Sequence, residues 1–154
     1  MAKTHETLLM GQRALSFGQV RLWALQQMDP LSSAYHIPLA YRVEGHIDAV
    51  ALKSAALDLL RRHEPLATVI LEQDGEPRGA LRATGDDDIS LFEFDISMLP
   101  ATERGPSLQS LLKELVAKPF DLSSDHMMRI SLIRVDESEF VLLIVIHHIA
   151  CDGA

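Results

Sequence analysis

The 154-residue chain has a mass of 17.1 kDa, is 47% hydrophobic and 23% charged, and carries a formal net charge of −8. This composition predicts one globular domain and excludes disordered, collagen-like and low-complexity classes. The acidic balance disfavours nucleic acid and membrane surfaces as partners. The single cysteine, Cys151, excludes an internal disulfide, and the sequence contains no apolar run of signal or membrane-spanning type, so we expect a cytoplasmic protein.

The first predicted element is a helix that follows a weakly patterned N-terminal extension at residues 1–15. Ser16 and Gln19 have the spacing of a capping box, and Asp29-Pro30 ends the run. The predicted apolar face of this helix consists of Phe17, Val20, Trp23, Ala24 and Met28. The pattern therefore indicates an amphipathic helix that packs through this face.

The next elements are a strand, a helix and a hairpin. Residues 37–43 are predicted to form a strand, and Pro38 favours an edge position in the sheet. Asp48 is placed to cap a second helix that ends near residues 61–63. Asp74-Gly75 predicts a tight turn between residues 68–71 and 80–82, because both residues tolerate positive φ.

The second half predicts a short strand at residues 91–94, a helix at 107–118 and two strands at 128–135 and 140–146. The acidic run at residues 86–88 is interpreted as a solvated loop rather than a metal cradle, and we expect no metal site. Seven consecutive apolar residues in the last strand indicate a position in the middle of a sheet with helices over it. The fold class is therefore an α/β sandwich with a mixed sheet.

His147 and His148 directly follow this apolar strand and lead into Asp152 and Gly153. A core strand fixes the backbone where it ends, and the following loop lets side chains reach a cleft. Adjacent strand residues point to opposite faces, so the two histidines should differ in role rather than share a metal ion. An imidazole in a channel suits a general base or hydrogen-bond acceptor. A histidine pair that merely caps the strand is the alternative.

Residues 147–153 resemble the His-His-x-x-x-Asp-Gly motif of the condensation domains of nonribosomal peptide synthetases, in the chloramphenicol acetyltransferase-like superfamily. Residues 16–25 are similar to the family's first motif, Ser-x-Ala-Gln-x-Arg-Leu-Trp-x-Leu, with Gly18 at the usual alanine. Residues 62–70 are similar to its second motif, with Ala67 and Ile70 at the usual arginine and phenylalanine. A further family segment matches residues 34–38, with His36 at the usual asparagine. Three motifs in the family's order make this resemblance specific.

The resemblance implies a role for each matching residue. His148 is the active-site residue, acting as base or as positioner of the attacking amine. Asp152 forms a buried structural ion pair, for which Arg62 is the matching partner, and Gly153 offers its N–H to the developing oxyanion. His147 supports the loop. A nucleophilic role for Cys151 is disfavoured, because the substrate already arrives as a thioester.

The resemblance also implies what surrounds the chain. Residues 16–154 match the N-terminal lobe of a two-lobed domain whose C-terminal lobe is absent, so the isolated chain should be inactive. The implied partners are acyl or peptidyl carrier proteins and an adjacent adenylation domain. Phosphopantetheine thioesters come on those carriers, and no cofactor is bound by the chain itself. The alternatives are a stand-alone acyltransferase of the same superfamily, dependent on coenzyme A or a carrier, and an inactive interaction fragment.

Overall fold

A computed structural model describes residues 9–85, 89 and 91–151. In these ranges the helices are α1 (Phe17–Met28), α2 (Ala49–Arg62) and α3 (Ala101–Ala117), with a short 3-10 turn at Glu64–Ala67. The strands are β1 (Leu9–Ala14), β2 (His36–Glu44), β3 (Thr68–Gln73), β4 (Glu76–Arg82), β5 (Leu91–Asp95), β6 (Met128–Asp136) and β7 (Glu139–His147).

The strands form two sheets. The larger sheet has the order β2-β7-β6-β5, in which β5 runs parallel to β6 and the other neighbours are antiparallel. The smaller sheet is antiparallel with the order β1-β4-β3. As predicted, β2 lies at an edge and β7 lies inside the larger sheet. The mixed-sheet α/β prediction is confirmed.

Helices cover both faces of the larger sheet. Helix α2 packs its buried Ala56, Leu57 and Leu60 against one face, where alternate residues of β7 are partly buried. Helix α3 packs Leu108 against the other face with Ile133 and Val141. Burial along β7 therefore alternates, and one of its two faces is more deeply buried than the other.

Local signals predict the turns and caps correctly. The Ser16 side chain and Gln19 form both halves of the capping box of α1, and Asp48 accepts hydrogen bonds from the first turn of α2. Asp74 and Gly75 have φ values of 54° and 80°, which fits the tight hairpin turn between β3 and β4. Each of these signals depends on residues close together in sequence.

Of the five residues predicted for the apolar face of α1, only Trp23 packs on the core, and the prediction is wrong for the other four. Phe17 is 97% exposed and Met28 is 82% exposed, whereas Gln26 is the buried residue of this helix. Leu22 and Trp23 pack on the core from the same side as Gln26. The Gln26 amide donates to the carbonyls of Pro30 and Phe120, so the inward face satisfies backbone groups as well as burying apolar ones.

Two further elements differ from the predictions. Strand β1 lies within the weakly patterned N-terminal stretch, where the pattern predicts no strand, and pairs with β4. Helix α3 begins at Ala101, six residues before the predicted start, and contains Pro106 near its N-terminus. No helix among the described residues is long and apolar enough to cross a membrane.

Candidate active site

The end of β7 separates two adjacent histidines. His147 is the last residue of the strand and is 0% exposed, whereas His148 follows the strand and is exposed. The expectation that the two imidazoles face different environments is thus confirmed. Only His148 can be reached from solvent in this arrangement.

His147 is held inside the protein by its backbone and its ring. Its N–H donates to the Met127 carbonyl at 3.0 Å, and its Nδ1 accepts from the Ile149 N–H at 3.1 Å. The acceptor role of Nδ1 places the proton on Nε2, which has no hydrogen-bond partner among the described residues. Burial, followed by the nearby charges of His36, His148 and Arg129, lowers the pKa of His147 to about 4. His147 is therefore neutral at neutral pH.

The His147 ring forms a buried aromatic cluster with the rings of His36 and Phe120. The His147 ring centroid lies 5.9 Å from that of His36 and 5.7 Å from that of Phe120, both in edge-on arrangements. Nδ1 of His36 lies 2.6 Å from the Val116 carbonyl, and burial lowers the pKa of His36 as well. The Arg129 guanidinium lies 3.8 Å from the Phe120 ring centroid. The cluster joins β2, β7 and the segment after α3.

His148 is positioned through its backbone. Its N–H donates to the Tyr35 carbonyl at 2.8 Å, which ties the loop to the residue before β2. Two turn hydrogen bonds follow, from Ala150 N–H to the His147 carbonyl and from Cys151 N–H to the His148 carbonyl. These bonds fix the start of the loop while the His148 side chain stays exposed.

His148 lines a pocket of about 390 Å³ between the loop and the N-terminal end of α1. The lining residues are Ser16, Gly18, Gln19, Leu22, Pro65, His148, Ile149, Ala150 and Cys151. The three sequence motifs, which begin near residues 16, 62 and 147, therefore meet at one pocket. A larger cavity of about 630 Å³ lies at the opposite end of β7, around Phe140 and Arg134, away from both histidines.

Of the remaining predicted site residues, the structure describes some and not others. Arg62 lies in the last turn of α2 and is exposed, and its ion pair with Asp152 stays a prediction. Asp152 and Gly153 lie outside the described residues. Cys151 is a free, partly buried thiol at the same pocket. Among the described residues no group of three or more His, Cys, Asp or Glu side chains is arranged to hold a metal ion.

The sequence patterns do not predict the tertiary contacts of two residues in this region. They indicate Gln19 as a helix cap and as the glutamine of the first motif, yet its Nε2 also donates to the Ile149 carbonyl at 3.2 Å. They indicate His36 only as a replacement for asparagine in a family segment, yet it is the cross-strand partner of His147. Neither contact has a local sequence signal, because each joins residues more than 100 positions apart.

The profile of the Condensation domain family matches residues 10–154, and the chain belongs to this family. It is 36% identical to the malpinin synthetase of Mortierella alpina over 139 residues, which cover 90% of this chain and 2% of that protein. It is 37% identical to the isonitrile lipopeptide synthase of Mycobacterium tuberculosis over 139 residues, with coverage of 90% and 5%. The chain thus spans only a small fraction of the length of these curated relatives.

Solved structures show the same fold. A double mutant of the starter condensation domain of the rhizomide synthetase RzmA matches with a TM-score of 0.81 and 21% identity, covering 94% of this chain and 34% of that one. The first condensation domain of the calcium-dependent antibiotic synthetase, in complex with a substrate analogue, matches with a TM-score of 0.77 and 17% identity, covering 90% and 33%. The chain thus spans about a third of these solved chains and corresponds to the N-terminal part of the domain.

Proposed function

We propose that residues 16–154 are the N-terminal lobe of a condensation domain that forms an amide between two carrier-bound thioesters. The observation that carries this proposal is the pocket in which the three motifs meet, with His148 as its exposed imidazole. A C-terminal lobe would supply the opposite wall. Within this assignment the partners are acyl or peptidyl carrier proteins and a neighbouring adenylation domain, in the cytoplasm.

The reaction needs a hydrogen-bond acceptor where the amine attacks. The free amine of the acceptor aminoacyl thioester adds to the donor thioester carbon, the C–N bond forms and the C–S bond breaks. The nitrogen loses one proton and the departing sulfur leaves as the thiol of the donor phosphopantetheine arm. The imidazole of His148 would take that proton or stabilise the positive charge that develops on nitrogen.

The buried neighbour makes a poor candidate for this role. His147 has its Nδ1 occupied by the Ile149 N–H and is closed off from solvent. Its lowered pKa also reduces its basicity. We assign His147 to support of the loop, and Arg62, Asp152 and Gly153 to shaping it, with the N–H of Gly153 facing the oxyanion.

The test is His148→Ala in the complete condensation domain, with carrier-loaded donor and acceptor. We expect amide formation to fall by about 10²- to 10⁴-fold, because a positioned proton acceptor is lost. Since His148 is exposed, the melting temperature should not change. The matched control is His46→Ala, which removes another exposed histidine, at the opposite end of the sheet. An unchanged rate in the His148 variant would remove the residue from this role.

A further inference from the structure

Gln19 connects helix α1 to the loop that carries His148. Its Nε2 donates to the Ile149 carbonyl at 3.2 Å, across 130 positions of sequence. Its Oε1 accepts from the Ser16 N–H at 3.0 Å, as part of the capping box. Both ends of one amide are therefore used, one by the helix and one by the loop.

The capping bond determines which way the Gln19 amide points. A backbone N–H can only donate, so the side-chain oxygen has to face Ser16 and the NH₂ group faces the other direction. That direction leads to the carbonyl of Ile149, the residue after His148. The cap thus orients the donor that reaches the loop.

The loop is held from two sides. On the β2 side, the Tyr35 carbonyl accepts from the His148 N–H at 2.8 Å. On the α1 side, the Gln19 amide donates to the carbonyl of the next residue along the chain. Ile149 is 4% exposed. Leaving a backbone carbonyl without a hydrogen bond in such a buried place is costly in free energy.

We propose that Gln19 is a positioning residue for the condensation reaction: it fixes the backbone next to His148 and thereby holds the imidazole at the amine. Its amide is engaged by the Ser16 N–H and the Ile149 carbonyl, so it acts through the backbone of the loop. This inference rests on the proposed function, because it names how the same pocket is kept in shape. A catalytic group displaced by a fraction of an ångström loses rate without losing substrate affinity.

The discriminating variant is Gln19→Glu in the complete condensation domain. Glutamate at this position keeps the acceptor for the Ser16 N–H and is itself favoured in a capping box, so α1 stays intact. The NH₂ donor is replaced by a carboxylate oxygen that repels the Ile149 carbonyl. The matched control is Gln27→Glu, which makes the same change at an exposed position of the same helix.

We expect the glutamate variant to lower kcat about tenfold with KM unchanged, the size of effect that loss of one partly buried hydrogen bond produces. The ratio of variant to unsubstituted kcat should recover as the pH is lowered, because a protonated carboxyl can again donate to Ile149. Deuterium exchange of residues 147–151, followed by mass spectrometry, should become about tenfold faster. The control should change none of these quantities.

Unchanged exchange of the loop, or faster exchange with unchanged kcat, would overturn the positioning role. A pH-independent loss accompanied by a lower melting temperature would also overturn it, since that combination describes a merely structural residue. Failure of the proposed function has a different signature. In that case His148→Ala keeps full activity, whatever the exchange of the loop in the Gln19 variant.

Discussion

His147 and His148 are neighbours in sequence and lie in opposite environments. His147 is enclosed with His36 and Phe120, and its Nδ1 is already bonded to the Ile149 N–H. His148 is exposed in a pocket, and within the described part of the chain its hydrogen bonds are made by its backbone. The difference shows that one residue type can serve the core or a reaction, depending on which face of the strand end it occupies.

The comparison assigns stability to one histidine and chemistry to the other. His148→Ala is expected to reduce rate without reducing stability. Substitution of His147 should mainly reduce stability. Any loss of activity in that variant should follow from displacement of the loop. The largest effect on folding free energy is therefore expected at His147.

Replacing His147 by alanine should lower the free energy of unfolding by about 2–5 kcal/mol, the range for emptying a fully buried site. The variant removes ring contacts with His36 and Phe120 and the acceptor for the Ile149 N–H. Urea denaturation of the variant and of His46→Ala, an exposed histidine, measures the difference. Equal stability of the two variants would contradict the assignment of His147 to the core.

Acid should destabilise the fold through the same residue. The pKa of His147 is about 4 in the folded chain and 6.5 for an unperturbed histidine, so the unfolded chain binds more protons between these values. Stability is therefore full above about pH 6.5 and falls as pH decreases, with a total loss of about 3 kcal/mol below pH 4. The lowered pKa of His36 acts in the same direction.

Denaturant titrations between about pH 6.5 and pH 4 measure the direction and the size of this change in the free energy of unfolding. His36→Asn, which inserts the residue usual at this family position, removes one of the charges that lower the pKa of His147. This variant should lose less stability between neutral and acidic pH than the unsubstituted chain. A pH-independent free energy of unfolding would show that His147 is not titrating from a buried neutral state.

A pair between Arg62 and Asp152 should contribute less than a buried ion pair. The Arg62 side chain is exposed at the end of α2, where solvent screens its charge. A double-mutant cycle of Arg62→Ala and Asp152→Ala in the complete domain should give a coupling energy of about 0.2–1 kcal/mol, with loss of activity in each single variant. If the free-energy changes of the two single variants simply add in the double variant, Arg62 and Asp152 do not interact, and the predicted pair is contradicted.

The smallest effect is expected at Gly18, on the rim of the His148 pocket. Among the described residues an added Cβ would contact the Ser16 hydroxyl alone, at 3.8 Å, so alanine fits there without strain. Gly18→Ala should raise the free energy of unfolding by about 0.5 kcal/mol, because helical glycine has the larger entropy loss. Gly45→Ala is the opposing control, since Gly45 has a φ of 106° and alanine there should destabilise. Loss of stability in the Gly18 variant would contradict this.

Sequence reasoning succeeds where the deciding contacts are local. The Ser16 cap, the Asp48 cap and the Asp74-Gly75 turn are all predicted, as is the interior position of β7. It fails over most of α1, where four of the five residues predicted for the apolar face are exposed and Gln26 is buried. An apolar stripe identifies an amphipathic helix but does not show which carbonyls of distant segments need donors.

The sequence by itself determined the family, the order of the motifs and the position of the two histidines after a core strand. Those features depend on residue type and short spacing, which are explicit in the chain. Only the tertiary structure decided that His147 is the buried member, that Arg62 is exposed and that Gln19 binds the carbonyl of Ile149. Each of these outcomes depends on contacts between segments far apart in sequence, which packing selects and periodicity does not encode.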